Sequence, residues 1–112
     1  MKYMLMFWVD ESAGVTEDED AAMMIAVKSW VEKMTERGVL LHGSPLGPVR
    51  DGKIVSVRAG EVLVTDGPFA ETKEQIGGLC ILECADLDEA IEAAARHPAA
   101  SYGTIEIRPL LP

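Results

Sequence analysis

The chain opens on an unbroken apolar run, Tyr3-Met4-Leu5-Met6-Phe7-Trp8-Val9. It is too short for a buried helix and rich in aromatics, which predicts a central strand over Lys2 to Val9 covered on both faces. After a loop containing Gly14, Thr16-Glu17-Asp18-Glu19 has the spacing of a capping box, and its acids suit the positive end of a helix. Met23, Val27, Trp30, Val31 and Met34 then recur at steps of three and four, which predicts an amphipathic helix with those residues inward, closed by Gly38. This Met and Trp stripe reads as core, with a ligand-lining role as the alternative.

Val39-Leu40-Leu41 is a second strand, and the Gly and Pro residues of His42-Gly43-Ser44-Pro45-Leu46-Gly47-Pro48 are expected to break its pairing and leave His42 at a strand end. A turn at Arg50-Asp51-Gly52-Lys53 leads into a hairpin, Ile54 to Arg58 and Glu61 to Thr65. There Val55 faces Val64 and Val57 faces Val62. Ala59-Gly60 is weak for a two-residue type I′ turn, so a longer loop is expected. Gly77 to Glu83 reads as another double-sided strand, and Asp86-Leu87-Asp88-Glu89 caps a second helix with Leu87, Ala90, Ile91 and Ala94 inward, ended by His97-Pro98. Thr104 to Leu110 alternates as a half-covered strand, with Ile105 and Ile107 on one face. The order of elements makes an α+β domain on the ferredoxin-like βαββαβ plan with a hairpin inserted in the middle. Two helices cover only one side of such a sheet, so the other side calls for a partner.

Between two apolar runs lies the polar connection Asp66-Gly67-Pro68-Phe69-Ala70-Glu71-Thr72-Lys73-Glu74-Gln75. Asp66-Gly67-Pro68 is turn chemistry. Phe69, Glu71, Lys73 and Glu74 exceed what a chain reversal needs, and loops of this kind on a rigid scaffold are where sites tend to lie. The alternatives are a solvated loop and a Phe69 that plugs a core or a subunit contact.

Composition narrows the function. At 112 residues and 48% apolar, the chain suits one domain spanning 1–112. A net charge of −9 argues against nucleic acid as a partner. No apolar run approaches the roughly 20 residues that span a bilayer, and no signal-peptide pattern follows Met1-Lys2, so no membrane and a cytoplasmic location are expected. Cys80 and Cys84, about 13 Å apart along one strand face, are expected as buried thiols. No zinc-ligand spacing and no cofactor motif occurs, so neither a metal nor a cofactor is expected.

The run from Asp66 to Glu74 resembles the motif of the DGPF subgroup of the YCII-related family. The likeness continues through Met1-Lys2-Tyr3-Met4-Leu5, Gly77-Gly78, Asp86-Leu87-Asp88-Glu89-Ala90 and Ile105-Glu106-Ile107-Arg108-Pro109. The resemblance implies a dimeric α+β barrel. It also implies a possible regulatory link, because genes of this subgroup often lie beside those of extracytoplasmic-function sigma factors. A sigma factor is therefore the partner of a non-catalytic alternative, and the acidic surface suits a basic partner. Typical members pair a histidine of the first helix with an aspartate before the proline after the second helix, a proposed acid–base dyad. Here no histidine lies between Thr16 and Arg37, and His97 holds the pre-proline position, so that dyad does not carry over.

The residues themselves suggest a different constellation. His97 stands at a helix C-terminus, where an imidazolium is favoured, and is a candidate acid or base as well as a plain helix-end cation. The expected site is a polar cleft in which Asp66 orients His97 and raises its pKa as a catalytic pair, while Lys73 and Arg108 hold a small anionic molecule. Phe69, Glu71 and His42 complete the candidate ligand-binding set.

Overall fold

The computed structural model describes residues 1–112. Strand β1 (Lys2–Val9) leads to helix α1 (Glu17–Glu36), strand β2 (Leu40–Pro45) and a single 3-10 turn at Val49–Asp51. Strands β3 (Lys53–Arg58), β4 (Glu61–Asp66) and β5 (Gln75–Glu83) follow, then helices α2 (Leu87–Ala95) and α3 (Ala99–Tyr102) and strand β6 (Thr104–Pro109). Four strands form one antiparallel sheet in the order β2-β5-β1-β6, while β3 and β4 form a separate two-stranded hairpin. This is the ferredoxin-like α+β arrangement with the hairpin inserted between its second and third sheet strands.

The core lies on one side of the sheet only. Tyr3, Leu5 and Phe7 alternate onto that side, cross-strand from Leu82, Cys80 and Gly78, and pack with Trp30, Met34, Val39 and the alanines Ala90, Ala93, Ala94 and Ala99. The alanines let α2 approach closely, and the Trp30 indole Nε1 donates to the Ala93 carbonyl at 2.8 Å, tying the two long helices together over β1. The Thr16–Glu19 capping box forms as the spacing predicts, and Asp86 caps α2 through the Glu89 N–H at 2.9 Å.

Several expectations change. Val31 is exposed, and so are Leu87 and Ile91, whereas Ala93 faces inward. The short α2 turns its small side chains to the sheet because a larger one would hold it off. Strand β2 continues through Gly43 and Pro45, with a bulge between Leu40 and His42, so His42 is within a strand rather than at its end. An edge strand tolerates glycine and proline that a central one would not. The hairpin loop is the short one after all: Ala59 (φ 51°) and Gly60 (φ 78°) both adopt positive φ, and Arg58 pairs with Glu61. The valine pairs Val55–Val64 and Val57–Val62 form in the expected register.

The strands expected to be double-sided are covered on one side alone. On the open face Met4, Trp8, Leu79 and Ile81 are half-exposed, flanked by His42 and Ser44 on β2 and by Thr104, Glu106 and Arg108 on β6. Met6, on the same face, is buried by its neighbours but is not part of the main core cluster.

Candidate ligand cleft

The connection from β4 to β5 is built, not slack. The Gly67 N–H donates to the Gly52 carbonyl at 2.9 Å, and a side chain at Gly67 would stand 3.0 Å from the Val49 carbonyl oxygen, so a glycine lets the loop settle on the turn before β3. The Gly67–Pro68 peptide is cis. At the other end the Gln75 amide donates to the Ala70 carbonyl at 2.7 Å, the Thr72 carbonyl at 3.2 Å and Thr72 Oγ1 at 3.1 Å, while Thr72 Oγ1 donates to the Glu74 carbonyl at 2.6 Å. One side chain thus gathers three acceptors of the loop.

Held in this way, the loop forms one wall of a cleft of about 560 Å³. Gly67, Pro68, Phe69, Ala70, Thr72 and Gln75 line that wall, the segment Leu46–Ile54 lines the other, and Trp8 and Ile76 of the sheet form the floor. Phe69 is 83% exposed, a large aromatic with no intramolecular cover. Trp8 Nε1 donates to Glu106 Oε1 at 3.0 Å, which fixes the indole ring at the junction of this cleft with a second one. The second cleft is more polar, lined by Trp8, Asp10, Ala13, Thr72, Lys73, Glu74 and Tyr102. Asp10 accepts from the Ser12 N–H at 2.9 Å and the Ser12 hydroxyl at 2.6 Å. Those bonds, with a smaller contribution from Lys73, hold its carboxyl below the usual range.

The expected site residues are dispersed. Asp66 is exposed at the end of β4 and forms an ion pair with Lys53. His97 lies in the core on the helical side, 7% exposed, its ring stacked on Phe7 with centroids 4.4 Å apart and edge-on to Trp30 at 4.7 Å. No ion pair links His97 to any carboxylate. The expected Asp66–His97 contact is therefore not made, and the expected upward shift is reversed: burial pushes the imidazole down to about 4. Desolvation of the ring outweighs whatever the helix end offers a cation. The geometry agrees, since His97 Nδ1 accepts from the Ala99 N–H at 3.0 Å, which requires an unprotonated Nδ1.

Lys73 borders the second cleft, Glu71 is exposed on the loop between the two, and Phe69 borders the first. Arg108 and His42 project on the open sheet face, flanking Met4 and Ile81 in one cross-strand row, outside both clefts. Lys73 and Arg108 therefore do not converge. Sequence reasoning missed Trp8, hidden within an apolar run, and the wall from Leu46 to Ile54. The Gly and Pro cluster there signals a loop but not what it faces. Cys80 and Cys84 are buried free thiols, and burial pushes Cys80 up to about 11. No group of three or more His, Cys, Asp or Glu side chains is placed to hold a metal ion. No helix is long and apolar enough to cross a membrane.

The chain is 38% identical over 114 residues to an uncharacterized protein of Rhizobium meliloti (strain 1021), an alignment covering 98% of this chain and 92% of that protein. The family model described as YCII-related domain matches residues 1–112. With the match running over the full length, the chain belongs to the YCII-related domain family.

Proposed function

We propose that this protein is a homodimer that holds a small molecule in the cleft between the Leu46–Ile54 segment and the Asp66–Gln75 loop. The observation that carries the reading is the pinned loop: three hydrogen bonds from Gln75 and the Gly67–Gly52 bond hold an exposed Phe69 against a cleft of about 560 Å³. Pockets of this size with apolar walls and a few polar groups are the usual form of small-molecule sites. The half-exposed apolar residues of the open sheet face support the dimer.

The walls favour a ligand with a flat apolar body. Trp8, Pro48, Pro68, Phe69 and Ile76 offer apolar surface, and Gln75 offers polar contacts. Lys53, the one cation lining this cleft, already has Asp66 as its counter-ion, so an anionic group on the ligand would compete with that carboxylate. The reading is one of binding, because the imidazole best suited to act as a base is sealed between Phe7 and Trp30.

Titration of benzamide and benzoate into isotopically labelled protein, followed by two-dimensional NMR, tests the proposal. Concentration-dependent shifts at the Gly52 and Gly67 amides and the Trp8 indole N–H are expected, larger for benzamide than for benzoate. An absence of shifts at millimolar concentration for both, or shifts confined to residues outside the cleft, would overturn it.

A further inference from the structure

Antiparallel pairing brings three separate segments to one end of the sheet. Where β1 runs out, Val9 lies opposite Gln75 of β5 and Trp8 lies opposite Thr104 of β6. Asp10, the loop residues Lys73 and Glu74, and Tyr102 of α3 therefore meet around Trp8, and they line the second cleft, of about 670 Å³. A volume of that order suits a small molecule.

Each wall is fixed from within the chain. Both Ser12 bonds land on Asp10 Oδ1, so the carboxylate is oriented and kept ionised while Oδ2 takes no bond. Thr72 Oγ1 spans to the Glu74 carbonyl and Gln75 clasps Thr72, which sets the backbone that carries Lys73 and Glu74. Tyr102 is brought to Trp8 by the close approach of Gly103, where a Cβ would stand 2.5 Å from the Trp8 carbonyl oxygen. The Trp8 indole is itself tied to Glu106. A site built before its ligand arrives loses less binding energy to ordering.

Three charged side chains line the cleft, and no ion pair joins them to one another or to any other group. Lys73 is near enough to Asp10 to help hold its carboxyl low, yet the two stay beyond the 4.0 Å of an ion pair. An anion would meet Lys73 but face two carboxylates, and a simple cation would meet the carboxylates but face Lys73. A dipolar ion finds a counter-charge for each of its ends. The two rings add apolar surface that also attracts cations.

We propose that this cleft binds a small zwitterion of the α-amino-acid class with a flat apolar side chain. The ammonium group lies on Asp10 Oδ2 with Glu74 beside it, the carboxylate lies on Lys73 Nζ, and the side chain rests against Trp8 and Tyr102. The site is distinct from the first cleft, with which it shares only Trp8 and Thr72, and it recognises charge where the first takes an apolar body.

Titration of L-phenylalanine, phenethylamine and hydrocinnamate into the isotopically labelled chain tests it, followed at the Ser12, Lys73, Glu74 and Tyr102 amides. The three ligands share a phenyl ring and carry both charges, the ammonium alone or the carboxylate alone. Saturable shifts are expected with phenylalanine at millimolar concentration, each single-charge analogue binding at least about ten-fold more weakly. Asp10→Asn keeps an oxygen for Ser12, so the loop stays built; it is expected to weaken phenylalanine and phenethylamine about ten-fold and to spare hydrocinnamate. Lys73→Gln is expected to weaken phenylalanine and hydrocinnamate and to spare phenethylamine. The site would be overturned by an absence of phenylalanine shifts, by phenylalanine shifts confined to Gly52 and Gly67, by an analogue that binds as tightly as phenylalanine, or by variants that weaken all three ligands alike. Benzamide shifts at Gly52 and Gly67 report the first cleft independently, so either site can fail while the other stands.

Discussion

The imidazole of His97 is stacked on the ring of Phe7, tilted by 24° with centroids 4.4 Å apart, and its Nδ1 accepts from the Ala99 N–H. This ties the end of α2 and the start of α3 to the central strand through a neutral ring. A proton on Nδ1 would break the bond and place a charge between Phe7 and Trp30.

Stability should therefore depend on pH through this residue. The folded-state value, about 4, lies below the ordinary 6.5, so between those limits the unfolded chain binds a proton that the folded chain does not. The contribution of His97 is whole above the unfolded value and is lost as pH falls from there toward the folded one. Urea unfolding should report a loss on the order of 2 kcal/mol between about pH 7 and about pH 5. A His97→Phe variant should lose distinctly less over the same range; equal slopes in the two proteins would refute the assignment.

Gly103 precedes β6, where a Cβ would come within 2.5 Å of the Trp8 carbonyl oxygen and 3.2 Å of Val9 Cγ1. The obstacle is backbone in a central strand and cannot swing aside. Gly103→Ala should cost about 2 kcal/mol or more in chemical denaturation, whereas Gly14→Ala, with nothing within 4 Å, should be nearly neutral.

Ala59 holds φ 51°, a conformation that asparagine and glycine adopt more readily in a type I′ turn. Ala59→Asn should stabilise the fold by about 0.5–1 kcal/mol, raising the Tm by a few degrees. An unchanged or lowered Tm would mean that the tight turn does not limit stability.

Gln75 is the clasp of the loop. Gln75→Ala removes the three hydrogen bonds to Ala70 and Thr72 without touching the core, so global stability should fall by less than about 1.5 kcal/mol while benzamide binding weakens about ten-fold. Binding that persists unchanged would separate the loop from the cleft's function.

Much of the fold was legible because it is written in local periodicity. The apolar run from Tyr3, the Thr16–Glu19 box, the Val55–Val64 register and the alternation of Ile105 and Ile107 each follow from a short stretch read by itself. The site was less legible because it depends on which surfaces face each other across the chain. His97 reads as an accessible helix-end cation, yet the turn into α3 folds it under Trp30. Arg108 and Lys73 share a charge but not a location, since the alternation of β6 turns Arg108 onto the open sheet face. Pairing of β2 with β5 likewise overrode the breaking tendency of Gly43 and Pro45, carrying His42 into a strand. The polar connection from Asp66 to Gln75 stands out in the sequence, but nothing local marks Gln75, its last residue, as the side chain that clasps it.

Backbone relaxation measured by NMR across residues 67–75 of the wild-type protein tests the central claim most directly, because a cleft wall must be as rigid as the strands that carry it. Order parameters for Phe69, Ala70, Glu71 and Thr72 near the value of rigid backbone, about 0.85, are the predicted result. Values below about 0.6 across the same residues, typical of a freely moving loop, would contradict the account.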